Sequence, residues 1–276
     1  MRFAICNETF LDWPFDKAFG FAAECGYSGI EIAPFTMAAD IREISASHRA
    51  LVRRQADAAG LEVVGLHWLL AKTTGGYHLT SRDAAVRRRT SEYLRDLARL
   101  CRDLGGSKMI FGSPQQRNVL PGVTPEEAFN HAAEVVGECV GLLEEIGVTL
   151  CLEPLAPAEG NFLNTAADAV RLIEKIASPN CRLILDCKAM SSEIVPIPEL
   201  VRRHARLLAH FHANDPNRQG PGFGELDFAP IFAALGQIDY RGWVSVEVFD
   251  YTPGVERLAQ ESIANMRAAL DQLAAS

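Results

Sequence analysis

Four apolar runs in the second half of the chain each end on a side chain with metal-binding chemistry. Val148-Thr149-Leu150-Cys151-Leu152 runs into Glu153, and Arg182-Leu183-Ile184-Leu185 into Asp186. Leu207-Leu208-Ala209-His210-Phe211 runs into His212, and Trp243-Val244-Ser245-Val246 into Glu247. Successive ends lie 33, 26 and 35 residues apart. A closed barrel of eight strand–helix units and ~250 residues spends roughly 31 residues on each unit. The spacing therefore predicts four successive parallel strands whose C-terminal tips meet at one mouth, where the chemistry of such barrels sits. Three carboxylates and one imidazole converging there predict a site for one divalent metal ion. Oxygen-rich donors with a single imidazole suit Mn²⁺, Mg²⁺, Co²⁺ or Fe²⁺, and Zn²⁺ remains compatible.

The first half completes the same alternation. Phe3 to Cys6, Ser28 to Ile32, Leu61 to His67 and Lys108 to Phe111 read as strands. Between them lie helical stretches from about Pro14 to Cys25, Ala46 to Ala59 and Ser81 to Leu104, each stopped by glycine at 26, 60 and 105. Thr124-Pro125-Glu126-Glu127 has the composition of a helix start, and that helix stops at Gly147. Further helices are expected over Thr165–Ile176, Pro198–Ala205, Phe228–Leu235 and Val255–Ala274. Eight strand–helix alternations with short connections predict an α/β chain folded as a single (β/α)8 barrel, one domain over residues 1–276. A chain of 276 residues, 48 % of them hydrophobic, can bury the core this requires.

Charge and cysteine usage narrow the classes of partner. A net charge of −8 argues against a nucleic-acid partner, because phosphate binding needs clustered positive charge. No apolar run reaches membrane-spanning length, and the N-terminus lacks the pattern of a signal peptide. Seven scattered cysteines without a C-x-x-C pair suit reduced, buried thiols, so a cytoplasmic protein is expected.

The motifs at the strand ends resemble a known group. Leu152-Glu153-Pro154, His210-Phe211-His212 followed by Asn217-Arg218, the Gly220-Pro221-Gly222-Phe223-Gly224-Glu225 loop and Val246-Glu247 carry the resemblance. With Gly26-Tyr27-Ser28-Gly29-Ile30-Glu31 it covers nearly the whole chain. The chain resembles the xylose-isomerase-like superfamily of TIM barrels that isomerise or epimerise sugars, in particular its ketose 3-epimerase and hydroxypyruvate isomerase branch. The resemblance implies that Glu153, Asp186, His212 and Glu247 bind one divalent ion and that Glu153 and Glu247 act as the acid/base pair. It also implies that Glu159 and Arg218 contact the sugar, and that the protein forms homodimers or homotetramers. The implied reaction is isomerisation or epimerisation of a small keto-sugar, sugar acid or sugar phosphate, by proton transfer through a metal-stabilised enediolate. Three other readings share the barrel: a metal-dependent dehydratase of a keto-polyol such as an inosose, a non-catalytic sugar-binding relative, and an endonuclease of abasic DNA. The last calls for a multi-metal, histidine-rich mouth and a basic face, and the sequence displays neither.

One position departs from the epimerase pattern. Where that branch carries a histidine three residues after the metal-binding aspartate, this chain has Ala189, with Lys188 beside it. If strand six continues past Asp186, alternation returns Lys188 to the side of the carboxylate, where it is a candidate substrate contact. His67, ending strand three, is another candidate, with a hydrogen-bonded strand-end histidine as the competing reading. His210 is expected one layer deeper in the barrel than His212. Trp13, Trp68 and Phe111 are candidates for apolar walls, with core packing as the alternative for each. Arg117, in the polar loop after strand four, reads as a solvated loop arginine, with a grip on an anionic group as the competing reading. For the glycines between Asn217 and Glu225, backbone anion binding and a plain structural turn both remain open.

Overall fold

The computed structural model describes residues 1–275. Eight parallel strands close into a barrel in sequence order: β1 (Arg2–Cys6), β2 (Gly29–Ile32), β3 (Glu62–Leu66), β4 (Lys108–Phe111), β5 (Thr149–Leu152), β6 (Cys181–Asp186), β7 (Leu208–Ala213) and β8 (Trp243–Val246). The ring shuts where Arg2 to Ile5 of β1 pair with Trp243 to Val246 of β8. Around it run α1 (Phe15–Cys25), α2 (Ala46–Ala58), α3 (Ala84–Asp103), α4 (Pro125–Ile146), α5 (Ala166–Ile176), the single turn α6 (Cys187–Met190), α7 (Ile197–Arg203), α8 (Ala229–Gln237) and α9 (Val255–Ala275). The predicted elements are all present, with ends that move by up to three residues. Among the described residues, no helix is long and apolar enough to cross a membrane.

Local chemistry explains the punctuation. Thr124 and Glu127 form a reciprocal capping box at the start of α4, satisfying amides that the first turn leaves without partners. Gly26 and Gly147 end α1 and α4 in the left-handed conformation, which costs glycine little. The main apolar core lies between the strands' outer faces and the helices. Inside the barrel, Ala4, Val64 and Trp243 pack together, and Ile110, Cys151 and Ile184 form a second cluster.

Two expectations change. The sixth strand does not continue past Asp186: the chain turns at once into α6, and the Asp186 carboxylate caps that turn by accepting from the Ala189 amide at 2.7 Å. Strand alternation therefore does not set the direction of Lys188; the helical turn does. Arg117 is buried, with Nη1 donating to the Phe111 carbonyl at 3.2 Å and Nη2 reaching the Leu163 carbonyl at 3.5 Å. Burial lowers its pKa to about 10, against the opposing pull of Glu153 and Glu159.

Candidate metal centre and substrate cavity

Strand register brings the four strand-end residues together. Asp186 and His212 are direct partners across β6 and β7, a level reached through a register shift between Leu183 and Ile184. Glu153 follows β5 directly and Glu247 follows β8. One donor atom from each of the four lies within 4.8 Å of all the others, and all four side chains are buried. Ligand bonds to hard divalent cations run roughly 2.0–2.6 Å, so donors around one ion stand at most about twice that apart. The cluster meets this limit.

Three of the four ligand candidates, Asp186, His212 and Glu247, are held by hydrogen bonds to neighbours. Asp186 Oδ2 accepts from Asn214 Nδ2 at 2.6 Å, so both of its oxygens are oriented. Asn214 is itself buried, and its Oδ1 accepts from the Lys188 amide at 2.8 Å. His212 Nδ1 lies 3.0 Å from Glu247 Oε2 and 3.9 Å from Glu153 Oε1. Glu247 Oε1 accepts from Trp68 Nε1 at 2.9 Å. Trp68 has a positive φ of 54°, rare for a bulky residue, and such strain tends to collect at functional sites. At Gly112 a Cβ would collide with Glu153 Oε2, so glycine keeps open the space the carboxylate occupies. The buried acids, the donor mix and the glycine-lined space all fit a bound divalent cation.

The electrostatics show the stress of grouped carboxylates. Burial, reinforced by Glu247, pushes the Glu153 carboxyl well above its usual range. Burial also raises Asp186, in spite of nearby Lys188. Glu247 is lowered, because contact with His212 outweighs its own burial. Burial would lower His212, yet Glu247 and Glu31 raise it well above its ordinary value.

Above the cluster opens a cavity of about 500 Å³. Glu153, Glu247, Glu159, Lys188, Arg218 and His67 all reach its wall, so every residue singled out for substrate contact is adjacent to it. Trp68 and Phe249, with ring centres 5.9 Å apart, give it an aromatic side. Of the other aromatic candidates, Phe111 belongs to the core and Trp13 packs on Phe10 and Phe21. Lys188 Nζ donates to Glu159 Oε1 at 2.5 Å. Burial would lower the Lys188 amine, but Asp186 and Glu159 raise it overall, so it is a cation at neutral pH. Arg218 is exposed, and its guanidinium makes no hydrogen bond or ion pair among the described residues.

The glycine loop is a structural turn. The Gly222 amide donates to Asp215 Oδ2 at 2.8 Å and the amide of Leu226, just past the loop, to Asp215 Oδ1 at 3.0 Å, so a buried side chain takes the place an anion would fill. Arg218 holds a φ of 74°, and its carbonyl accepts from the amides of Phe249 and Asp250 at 2.8 and 3.0 Å.

Glu8 and Glu31 were not singled out by sequence. His67 Nε2 lies 2.6 Å from Glu8 Oε2, so the strand-end histidine is engaged within the protein as well as lying at the cavity wall. Glu31, on β2, reaches across the barrel interior to His210 and His212. A signal for Glu31 was available: an acid inside the apolar strand Gly29-Ile30-Glu31-Ile32 requires a partner when buried.

Residues 19–269 match the xylose isomerase-like TIM barrel family. The chain belongs to that family. It is 29 % identical over 237 residues to the D-psicose 3-epimerase of Agrobacterium fabrum, spanning 84 % of this chain and 78 % of that one. It is 30 % identical over 188 residues to the L-ribulose 3-epimerase of Mesorhizobium japonicum, spanning 68 % and 63 %. A solved D-psicose 3-epimerase, crystallised in the presence of D-fructose, superposes with a TM-score of 0.86 over 98 % of this chain and 99 % of that one, at 23 % identity. Those relatives are epimerases, and with them this member of the family is an enzyme of the isomerase class.

Proposed function

We propose that this epimerase depends on one divalent metal ion and acts on a small ketose or related keto-sugar, inverting the carbon beside the carbonyl. The observation that carries the reading is the convergence of Glu153, Asp186, His212 and Glu247 within 4.8 Å at the base of a cavity of about 500 Å³. A bound ion would polarise carbonyl and hydroxyl oxygens of the substrate and so acidify the adjacent C–H bond.

The chain's own groups supply the rest. Glu153 and Glu247 come from strands three apart in the ring, and both border the cavity. One takes the proton from the substrate carbon, leaving an enediolate, and the other returns a proton to the opposite face. Trp68 and Phe249 cover the apolar face of a sugar ring or chain. Glu159, Lys188 and Arg218 address its oxygens, and the Trp68 indole holds Glu247 in place.

Incubation of the protein with ketoses, keto-acids and inosose in D₂O with Mn²⁺, followed by NMR, tests this. Deuterium entering one carbon beside the carbonyl, with the epimer appearing, is the expected result. Absence of exchange in every compound from a Mn²⁺-loaded protein overturns it. A keto-polyol dehydratase would instead show loss of a β-hydroxyl as water in the same spectra.

A further inference from the structure

Glu31 takes no part in the proton transfers above, yet it is wholly buried in the barrel interior, where an unpaired carboxylate is strongly unfavourable. Its surroundings are three imidazoles. Oε2 lies 2.8 Å from His210 Nε2, Oε1 lies 3.1 Å from His212 Nε2, and His67 Nδ1 stands 3.9 Å from Oε1. The contact with His212 joins β2 to β7 through the middle of the barrel.

Both nitrogens of His212 face a carboxylate, Nε2 toward Glu31 at 3.1 Å and Nδ1 toward Glu247 at 3.0 Å. A carboxylate only accepts, so each nitrogen donates a hydrogen there, and a bound cation would displace only the one on Nδ1. Nδ1 faces Glu247 and Glu153, which are members of the four-residue cluster. We propose that Glu31 is the positioning residue for the metal centre: it fixes His212 with the proton on Nε2, so that Nδ1 presents its lone pair to the cation. His210 holds the second Glu31 oxygen and keeps the carboxylate from turning away. A carboxylate behind a metal-binding imidazole sets the ring's tautomer and orientation and raises its basicity. The alternative is an ion-pair network that only stabilises the barrel.

The inference rests on the metal reading of the cluster, and the experiment separates the two. Wild type, Glu31→Gln and Glu31→Leu are stripped with chelator, and Mn²⁺ is titrated into each while free ion is followed by electron paramagnetic resonance. Gln removes the charge, and Leu removes the acceptor as well. Loss of such outer partners typically weakens metal binding by about 10–100-fold, so a fall of that size is expected for Gln and at least as much for Leu. Circular dichroism of the metal-free variants establishes that they are folded. A folded Glu31→Leu variant with wild-type affinity overturns the proposal and leaves the metal reading intact. Wild type that binds no divalent ion overturns both.

A measurement on the unaltered chain covers the case in which the variants do not fold. In Zn²⁺-loaded protein labelled with ¹⁵N-histidine, His212 should show a protonated Nε2 and a metal-shifted Nδ1. The reverse pattern overturns the proposal.

Discussion

Lys188 Nζ lies 2.5 Å from Glu159 Oε1, which ties the turn after β6 to the loop after the neighbouring β5 at the cavity wall. The ammonium also sits 4.6 Å from the centre of the Phe249 ring. Lys188 thus has a place at the wall and a charge available to a substrate oxygen that gains negative charge during reaction. A hydrogen bond to a charged group contributes ~1.5–3 kcal/mol. Replacing Lys188 by Met should therefore slow turnover roughly 10–150-fold. Metal content and melting temperature should hold. Wild-type turnover with a lowered melting temperature would make the Lys188–Glu159 pair purely structural.

The second prediction concerns the two glutamates. Glu153→Gln and Glu247→Gln should each lower kcat by at least about 10²–10⁴-fold, the range for general acid–base catalysis. Since both residues belong to the proposed metal site, metal content is to be determined on the same samples. Either variant retaining full kcat would rule out the two-base scheme.

Arg218→Ala gives a third. The arginine already holds a φ of 74°, so alanine bears a similar backbone strain and the turn should survive. Loss of a charge-assisted contact of ~1.5–3 kcal/mol predicts a fall in kcat/KM of roughly 10–150-fold. The melting temperature should change little, because the exposed guanidinium makes no hydrogen bond or ion pair among the described residues. Unchanged kcat/KM across substrates would remove Arg218 from the site.

Acidity of the cluster supplies the fourth. Glu153 and Asp186 are raised above their ordinary values of 4.5 and 3.8 in the metal-free fold, chiefly by burial. From those values upward the fold binds more protons than the unfolded chain, so these two groups lower metal-free stability as pH rises. A cation binds the deprotonated carboxylates, and its affinity grows over the same window. The gain in melting temperature on adding Mn²⁺ should accordingly be larger at pH 7.5 than at pH 5.5. A gain independent of pH would place the ion elsewhere.

The four-residue cluster was legible because a barrel turns sequence spacing into convergence: Glu153, Asp186, His212 and Glu247 each end an apolar run at nearly the period of one strand–helix unit. Helix ends were legible at Gly26 and Gly147 for an equally local reason. What escaped depends on closure of the ring. Nothing local to Glu31 indicates that its partners lie 179 and 181 residues away, and Asn214 reveals its hold on Asp186 only once β6 and β7 are paired. Lys188 reached the cavity by another route than strand alternation, since the Asp186 carboxylate starts a helical turn instead of prolonging a strand. Arg117 looked solvated because its neighbours in sequence are polar. Its burial follows from how the loops after β4 and β5 fold over one another.

The carbonyl of Arg218 receives amides from both Phe249 and Asp250, so the segment bearing the arginine is stitched to the segment that follows Glu247. Anyone wishing to retarget this catalyst by transplanting rim segments from a relative would have to exchange the two as a single module. A graft of one alone that followed a different backbone path would draw the carbonyl away from the two amides, and would disturb the segment bearing Arg218 and the aromatic wall at Phe249 together.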